Sequence, residues 1–290
     1  MTRVAVTGAS GFLGRHVLAA LAATSADVVA LARKPRPDQD AAGRRRWTAF
    51  DLAAAPADAF DRLGRPDVVV HLAWDGLPNY LARRHVDVEL PTQLGFLRGL
   101  VAAGLRTLVV SGTCFEYGMQ SGCLREDMTP LPSNPYGSAK DALRRELEAL
   151  QKTQSFDLRW LRLFYLYGEG QPPTSLYSQF KSAVARGDKR FDMSPGDQLR
   201  DFMTAEDAAA AIVDVALAPA PAAPQILNIC SGKPTSVRSL VERWRAEMAS
   251  GIELNLGALA YPTYEPLEFW GDNSRLAALT RASGNRPARP

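Results

Sequence analysis

The chain has 290 residues, of which 46% are hydrophobic and 22% are charged, and its formal net charge at pH 7 is +3. Such a composition is typical of a globular protein with one large core, or with one core and a smaller lobe beside it. The small net charge gives no global indication of binding to nucleic acid or to an anionic membrane, so neither partner is expected.

Cysteine and histidine are scarce in this sequence. Its three cysteines, Cys114, Cys123 and Cys230, are spaced unlike the ligands of a metal site, and only three histidines are present. We therefore predict no metal site and a reducing compartment. A strand begins as early as Arg3 and no apolar run reaches the length of a bilayer span. Neither a signal peptide nor a membrane helix is expected, and the predicted location is the cytoplasm.

Short apolar, β-branched runs alternate with amphipathic helical stretches over the first two-thirds of the chain. This alternation predicts a parallel sheet with helices on both faces. Pro91 interrupts one long helical stretch, where a kink or a restart is expected. After about Gly168 the pattern loosens, which indicates a second, smaller lobe. The predicted strands are residues 4–6, 28–31, 68–70, 108–110, 161–164 and 225–229, and the predicted helices include residues 13–23, 79–103 and 138–151.

A glycine-rich segment follows the first predicted strand and opens the first predicted helix. Its first glycine permits a tight turn, its second lets the backbone approach a pyrophosphate, and its third lets the helix pack on the strand. The amides at the start of the helix then bind the phosphates. The flanking strand and helix favour a dinucleotide site over a purely structural turn. The residues predicted to bind the cofactor here are Gly8, Ser10, Gly11, Phe12, Leu13 and Gly14.

The end of the second predicted strand bears on the choice of cofactor. NAD sites usually have an acidic residue at this place, which binds the ribose hydroxyls. Arg33 stands there instead, and a guanidinium can hold a 2′-phosphate through two hydrogen bonds. We therefore predict that NADP(H) is the preferred cofactor, with NAD(H) as the alternative. A further strand is expected to end at Asp51, and Asp51 and the following Leu52 are predicted contacts of the adenine.

These features predict an α/β protein with a Rossmann-like, doubly wound parallel sheet. The expected NAD(P)-binding domain covers residues 1–165. Residues 166–290 are expected to form mostly a smaller C-terminal substrate-binding lobe, with some segments that return to the first domain.

Tyr136 and Lys140 are four residues apart and therefore lie on one face of a predicted helix. A free tyrosine has a pKa of about 10, and a neighbouring ammonium group is expected to lower it. A hydroxyl group near the phenol would complete a site for proton transfer to a substrate oxygen. We expect that hydroxyl where the strand at residues 108–110 ends, with Thr113 and Ser111 as the candidates.

The segment from Ser111 to Gly118, followed by the Tyr136–Lys140 pair, resembles the extended short-chain dehydrogenase/reductase family, also described as the NAD-dependent epimerase/dehydratase family. In that pattern a Ser or Thr lies four residues before a Tyr-Gly pair, and a Tyr-x-x-x-Lys motif follows. The resemblance implies that Thr113 is the catalytic hydroxyl and that Tyr136 is the proton donor. It also implies that Lys140 holds both the phenol and the nicotinamide ribose.

Further segments extend the resemblance over nearly the whole chain. The loop His71-Leu72-Ala73, which follows the predicted strand at residues 68–70, resembles the family's loop along the cofactor. Phe164 begins a segment that resembles the one beside the nicotinamide and the sugar diphosphate. Arg200 belongs to an Arg-Asp-Phe stretch and would contact a phosphate or form a structural ion pair. The resemblance thus adds Leu72, Ala73, Trp74 and Phe164 to the cofactor contacts, and Cys114, Phe115, Tyr165 and Arg200 to the substrate contacts.

A few positions depart from the family's pattern. Tyr165 stands where an Asn is common, and Pro262 and Thr263 stand where an Arg is common. Asp87 lies near the usual place of an Asn in the long helix. The first two departures indicate altered contacts to the sugar or nucleotide part of a substrate.

The residues after Thr113 narrow the reaction that the resemblance implies. Dehydratases of the family have an Asp-Glu pair there, and fucose-synthase-like enzymes have a cysteine two residues later; Cys114 and Phe115 fit neither pattern. The expected reaction is therefore NADPH-dependent reduction of the 4-keto group of a nucleotide-activated 6-deoxyhexose. An NAD-dependent nucleotide-sugar 4-epimerase and a non-catalytic NADP-binding regulator are the alternatives. By the same resemblance we expect a homodimer that packs through the helices at residues 79–103 and 136–151.

Overall fold

The computed structural model of the chain describes residues 1–35, 43–220 and 225–282. Its strands and helices alternate along the first half of the chain, as the apolar pattern predicts. In chain order the strands are β1 (Arg3–Thr7), β2 (Asp27–Ala32), β3 (Arg45–Ala49), β4 (Val68–His71), β5 (Thr107–Thr113), β6 (Gly122–Leu124), β7 (Asp157–Leu163), β8 (Tyr165–Tyr167), β9 (Arg190–Met193), β10 (Leu199–Thr204), β11 (Gln225–Ile229), β12 (Pro234–Ser236), β13 (Glu253–Leu256) and β14 (Phe269–Gly271).

The helices connect these strands and pack on both sides of the central sheet. They are α1 (Phe12–Ala22), α2 (Ala59–Arg62), α3 (Leu90–Ala102), α4 (Pro135–Gln151), α5 (Leu176–Arg186), α6 (Ala205–Leu217), α7 (Val237–Glu247) and α8 (Ser274–Ala282).

The central sheet has the strand order β11-β7-β5-β4-β1-β2-β3, and each neighbouring pair is parallel. The predicted doubly wound, Rossmann-like α/β fold is confirmed. The direction of winding reverses between β1 and β4, where Val4 pairs with Val68. In such sheets a crevice opens outside the carboxyl ends of the strands at this reversal, and ligands bind there. The glycine-rich segment begins at this point.

Both faces of the sheet are covered by apolar side chains, which is why the inner strands β1, β2 and β4 are almost entirely hydrophobic. On one face α1, α6 and α8 supply a core that includes Leu21 and Ile212. On the other face α3 and α4 supply a second core that includes Leu97, Leu143 and Trp160. These two layers fix the positions of the strand ends that form the crevice.

The chain returns to the central sheet after it has left it. α6 packs on α1, and β11 pairs with β7, with Leu227 opposite Leu161. Residues beyond 165 therefore take part in the sheet, although the division into residues 1–165 and 166–290 stays a prediction. The last part of that second range, residues 283–290, lies outside the described residues.

A smaller group of elements lies beyond the carboxyl edge of the sheet. β10 runs between β8 and β12, β9 pairs with β13, and α5 and α7 close over a core that includes Phe180 and Trp244. Asp201 in β10 is fully buried. Its carboxylate accepts hydrogen bonds from the amide and hydroxyl of Ser231 at 2.6 and 2.7 Å and from the amides of Gly232 at 2.8 Å and Gly271 at 3.3 Å.

The helix predicted at residues 79–103 is shorter than expected. α3 is preceded by a π-helical turn at His85–Glu89, and residues 79–83 are not helical. The carbonyl of Asn79 accepts a hydrogen bond from the side chain of His85 at 2.8 Å and closes a tight turn instead of a helical one. Pro91 has no amide hydrogen and lies beside the junction of the two helix types, where the sequence predicts a kink or a restart.

The helix predicted at residues 138–151 starts earlier than expected. α4 begins at Pro135, and the side chain of Asn134 caps it by accepting a hydrogen bond from the Gly137 amide at 2.9 Å. Tyr136 therefore lies in the first turn of this helix. Within the described ranges, no helix is both long enough and apolar enough to cross a lipid bilayer.

Candidate active site

A cavity of about 1050 Å³ extends from the reversal point of the sheet into the smaller group of elements. Every residue that we assigned from the sequence to a catalytic, cofactor or substrate contact lines this cavity. The structure thus brings these residues together from distant parts of the chain, while their individual roles stay predictions. No cluster of His, Cys, Asp or Glu suited to a metal ion occurs in the part of the chain that the structure describes.

The glycine-rich segment forms a close-packed turn between β1 and α1. Gly8 has a φ of +66°, and a Cβ added there would lie 2.9 Å from the amide nitrogen of Ala73. A Cβ added at Gly14 would lie 2.2 Å from the carbonyl oxygen of Gly8. α1 starts at the cavity without a side-chain cap and without an acidic residue in its first turn. This arrangement fits a pyrophosphate, because the turn has room for one and the helix amides there lack a side-chain partner.

Thr113 is the last residue of β5 and caps a single 3₁₀ turn at Cys114–Tyr117. The carboxylate of Glu116, fully buried, accepts a hydrogen bond from the Thr113 amide at 2.9 Å and another from the Arg162 side chain at 2.8 Å. The Trp160 indole donates to the same carboxylate at 2.9 Å. Glu116 therefore fixes the backbone at Thr113 to β7, the next strand of the sheet.

Tyr136 projects from the first turn of α4 into a ring of aromatic side chains. Its ring centroid lies 5.5 Å from that of Tyr80 and 6.3 Å from that of Phe115. Burial raises the pKa of the Tyr136 phenol well above its usual range, and a hydrogen bond with the Thr113 side chain opposes this rise. The expected lowering of this pKa by Lys140 is not found, because removal of the phenol from water dominates the shift.

Lys140 lies one helical turn after Tyr136 and is almost completely buried. Its ammonium donates a hydrogen bond to the Ser111 carbonyl at 2.7 Å and lies 4.0 Å from the centre of the Trp74 ring system. Burial lowers the pKa of Lys140 to about 7, and the carboxylates of Glu116 and Glu89 oppose this shift. The amine can thus exchange a proton near neutral pH.

Trp74 is held in place by a side chain that sequence reasoning missed. Its indole N–H donates to His85 Nδ1 at 3.0 Å, and His85 Nε2 donates to the Asn79 carbonyl at 2.8 Å. These two contacts require the neutral Nε2–H tautomer of His85. The His85 ring also lies 5.2 Å from the Tyr136 ring. One buried histidine therefore contacts both Tyr136 and Trp74, the residue that packs on Lys140.

His71 lies behind the cavity wall, at the end of β4. Its Nδ1 is 3.0 Å from the Thr7 hydroxyl oxygen, which also accepts hydrogen bonds from the amides of Leu72 and Ala73. Thr7 therefore fixes the start of the loop that lines the cofactor end of the cavity. Burial, followed by the charge of Lys140, lowers the pKa of His71 to about 3.

Arg33 reaches across the end of β1 to Asp75, in the loop after β4. Its Nη1 lies 2.9 Å from one carboxylate oxygen of Asp75, and its Nη2 donates to the other at 3.1 Å. Asp51 also lines this end of the cavity, but β3 ends at Ala49, so Asp51 caps the following 3₁₀ turn rather than ending the strand.

Arg200 forms the ion pair that was one of its two expected roles. Its Nη2 lies 3.4 Å from Glu265, and Glu265 also accepts a hydrogen bond from the Tyr165 hydroxyl. Among the described residues that line the cavity after Lys140, Arg200 is the only lysine or arginine. The substrate half of the cavity is therefore poor in positive charge.

Several residues of the site were not identified from the sequence. Asp75, Glu116 and Glu265 make contacts over 42 to 100 positions of the chain, so no local spacing indicates them. Aromatic side chains line much of the substrate half of the cavity, and Phe115 and Tyr165 among them were identified. These further lining residues are Tyr80, Tyr167, Tyr177, Phe191, Phe202, Trp244 and Tyr264.

A model of the NAD dependent epimerase/dehydratase family matches residues 4–230. The chain belongs to this family. The resemblance found in the sequence is confirmed, and so is the expected enzyme class, an oxidoreductase that works with a nicotinamide cofactor.

Relatives with similar sequences carry related activities. The chain is 27% identical over 270 residues to the dTDP-6-deoxy-L-talose 4-dehydrogenase (NAD(+)) of Aggregatibacter actinomycetemcomitans. This alignment covers 92% of the chain and 98% of the relative. It is 35% identical over 254 residues to the dTDP-6-deoxy-L-talose 4-dehydrogenase (NAD(P)(+)) of Kitasatospora kifunensis. This second alignment covers 83% of the chain and 77% of the relative.

A solved structure with a similar fold is that of MoeE5 in complex with UDP-glucuronic acid and NAD. The two structures have a TM-score of 0.83 at 26% sequence identity, and the match covers 99% of this chain and 94% of the other. The family fold thus extends over the smaller group of elements as well as the central sheet.

Proposed function

We propose that this protein catalyses the NADPH-dependent reduction of the 4-keto group of a nucleotide-activated 6-deoxyhexose. The observation that carries the proposal is the convergence of three side chains on one cavity. Thr113 at the end of β5 faces the phenol of Tyr136, and Lys140 lies one helical turn further along α4. Simple hydride exchange at a carbonyl carbon needs a proton donor, a hydroxyl and an ammonium group, and these three residues provide them.

The residues proposed to hold the cofactor lie at the reversal point of the sheet. Gly8, Gly11 and the start of α1 would hold the pyrophosphate, and Lys140 would hold the nicotinamide ribose. Arg33 would contact the 2′-phosphate of NADP, with Asp51 and Leu52 near the adenine. When bound, the reduced nicotinamide supplies a hydride to the carbon of the ketone. The remaining proposed contacts are Ser10, Phe12, Leu13, Gly14, Leu72, Ala73, Trp74 and Phe164.

The chain's own residues supply the proton to the ketone oxygen and stabilise the negative charge that develops during the reaction. Tyr136 donates its proton to the ketone oxygen as the carbon receives the hydride. Its raised pKa keeps the phenol protonated until that moment. Thr113 donates a hydrogen bond to the developing alkoxide and so orients the oxygen toward Tyr136. Lys140 stabilises the phenolate that remains and, with a pKa of about 7, can return a proton to it near neutral pH.

The wall around Tyr136 supports a 6-deoxy sugar. Tyr80, Phe115 and Tyr264 lie with ring centroids 4.7 to 6.2 Å apart and present apolar faces beside the phenol. A methyl group at C6 of a hexose would pack against such faces, whereas a C6 carboxylate would lose its hydration without gaining a partner. Arg200 would then contact the diphosphate. The related 4-dehydrogenases support this substrate class, because dehydrogenation at C4 and reduction of a 4-ketone are one hydride transfer run in opposite directions.

The test is turnover of NADPH with a panel of nucleoside-diphosphate-linked 4-keto-6-deoxyhexoses, followed by the loss of reduced-nicotinamide absorbance. We expect turnover with at least one of these sugars, and Tyr136→Phe should lower kcat at least about 100-fold, since it removes the proton donor. Tyr261→Phe is the matched control, because that hydroxyl contacts Asp197 and Tyr261 does not line the cavity. Bound NADPH without turnover of any of these sugars would contradict the reductase proposal.

The same three residues would also serve a 4-epimerase, which oxidises and then reduces one sugar carbon. The two functions differ in their balance of cofactor. A reductase consumes NADPH in proportion to product, whereas an epimerase interconverts two sugars with no net change in the nicotinamide. A non-catalytic regulator would bind the dinucleotide and convert none of the sugars. One sugar panel, analysed for both product and NADPH, therefore separates all three.

A further inference from the structure

The side chain proposed to select NADP is already engaged with a carboxylate. Arg33 uses both terminal nitrogens of its guanidinium for the two oxygens of Asp75, at 2.9 and 3.1 Å. A phosphate that binds arginine in the two-pronged manner needs the same edge of the guanidinium. Asp75 and a 2′-phosphate therefore compete for one group.

Asp75 is held at this place by its backbone. Its amide donates a hydrogen bond to the buried carboxylate of Glu89 at 3.2 Å, and Arg84 lies 3.0 Å from the other oxygen of Glu89. Gln93 donates to the same carboxylate at 3.1 Å. Because Gln93 of α3 and Arg84 hold the Glu89 carboxylate, Glu89 fixes the backbone of Asp75 and keeps the Asp75 carboxylate beside Arg33.

Electrostatics act in the same direction as the competition. Asp75 lines the cavity together with Arg33 and Ala32, at the end where the adenosine part of a dinucleotide is proposed to bind. A 2′-phosphate there would meet a carboxylate of like charge, whereas the ribose hydroxyls of NAD carry no charge and can donate to it. The same residue thus disfavours NADP and accepts NAD.

We infer that Asp75 is a specificity-determining residue that competes for Arg33 and so weakens the selection of NADP over NAD. This inference rests on the proposed binding of a nicotinamide cofactor. The preference between NADP and NAD is thereby assigned to Arg33, which follows β2, together with Asp75, in the loop after β4.

The test measures binding of NADP⁺ and NAD⁺ to the full chain by calorimetric titration, without any sugar. Asp75→Asn should tighten NADP⁺ binding about fivefold and change the Kd for NAD⁺ by less than about twofold, since exposed ion pairs of this kind are worth up to about 1 kcal/mol. Arg33→Ala should weaken NADP⁺ binding, and in that background the gain from Asp75→Asn should be smaller, since only the like-charge repulsion by Asp75 then remains. Asp58→Asn is the matched control, because Asp58 forms an exposed ion pair with Arg62 at 2.9 Å outside the cavity.

Each outcome of the titration has a definite meaning. An unchanged ratio of the two dissociation constants in Asp75→Asn, with both dinucleotides still bound, would overturn the inference and leave the proposed function intact. A gain of the same size in the Arg33→Ala background would also overturn it, because the effect would then not pass through Arg33. Failure of the unmodified protein to bind either dinucleotide would instead contradict the proposed function itself.

Discussion

His71 is a histidine that the fold keeps neutral. It is fully buried at the end of β4, its Nδ1 contacts the Thr7 hydroxyl, and burial lowers its pKa to about 3. Gln93 approaches the ring from α3 and raises the pKa slightly, while Lys140 lowers it further. The residue therefore supports the cofactor loop only as the uncharged imidazole.

We predict that His71 makes the protein sensitive to acid. In the unfolded chain a histidine has a pKa of about 6.5, so between pH 6.5 and 3 the unfolded state binds a proton that the folded state does not. The free energy of unfolding should thus fall by up to about 1.4 kcal/mol per pH unit over this range. Urea titrations at pH 7.5 and pH 4.5 should show a smaller decrease for His71→Gln than for the unmodified protein. An equal decrease in both proteins would contradict this prediction.

Sequence reasoning identified the residues whose chemistry follows from a local spacing. The glycines before α1 and the Tyr136–Lys140 pair belong to this class, and the structure places them in one cavity. His85 and Glu116 could not be found in this way, because each acts through partners that only the folded chain brings near. The pKa of Tyr136 was expected to be lowered, since the effect of burial cannot be read from a four-residue spacing.

At the scale of elements, the β1–turn–α1 unit shows two different uses of glycine. Gly14 lies inside the first turn of α1, against the backbone of the turn itself. Gly11 is exposed at the start of the helix, and only the Gly8 carbonyl, at 3.1 Å, lies within 4 Å of a Cβ added there. Gly14 permits the helix to pack on the turn, whereas Gly11 leaves the floor of the cavity free of side-chain atoms.

This difference predicts opposite effects for one and the same substitution. Gly14→Ala should lower the free energy of unfolding by about 3 kcal/mol, because its methyl group would overlap the Gly8 carbonyl. Gly11→Ala should cost less than about 1 kcal/mol but weaken NADP⁺ binding at least about tenfold, since the methyl group would occupy the place of the pyrophosphate. Urea unfolding and calorimetric titration of both variants check this. Strong NADP⁺ binding by Gly11→Ala would argue against the proposed position of the cofactor.

The element boundaries that the sequence missed have local physical causes. The helix predicted from residue 79 starts later because the Asn79 carbonyl closes a tight turn and accepts from His85, and a π-helical turn leads into α3 next to Pro91. Periodicity alone cannot show either feature, since both depend on side-chain hydrogen bonds. The inner strands β1, β2, β4 and β5 were easier to predict, because their apolar runs match their burial on both faces. β7 starts earlier than its apolar run at residue 161 because Arg159 and Asp157 form an ion pair inside the sheet.

At the scale of the whole molecule, one carboxylate joins three separated segments. Asp201 in β10 accepts hydrogen bonds from Ser231 and Gly232 after β11 and from Gly271 in β14. It therefore ties the smaller group of elements to the edge of the central sheet, next to the cavity. The sequence indicated the Arg-Asp-Phe stretch but not this contact, which spans up to 70 positions of the chain. The expected homodimer stays a prediction.

We predict that Asp201→Asn lowers the free energy of unfolding by about 3 kcal/mol, because an amide nitrogen would face backbone N–H groups that now bind a carboxylate. Asp197→Asn provides the control, since Asp197 is exposed and accepts a long hydrogen bond from Tyr261 at 3.4 Å, so its change should stay within about 0.5 kcal/mol. Thermal or urea unfolding measures both. Equal stability of the two variants would show that Asp201 does not join these segments in solution.

The late position of β11 in the chain has a consequence for biosynthesis. One edge of β7 pairs with β5, but its other edge can pair only after β11 has been synthesised, about 60 residues later. At a translation rate of about 5–20 residues per second, the nascent protein exposes this open, apolar strand edge for about 3–12 s. Unpaired edges of this kind readily pair with other chains. A ribosome that stalls before Gln225 therefore releases an aggregation-prone polypeptide, even though the cofactor half of the sheet has already been made.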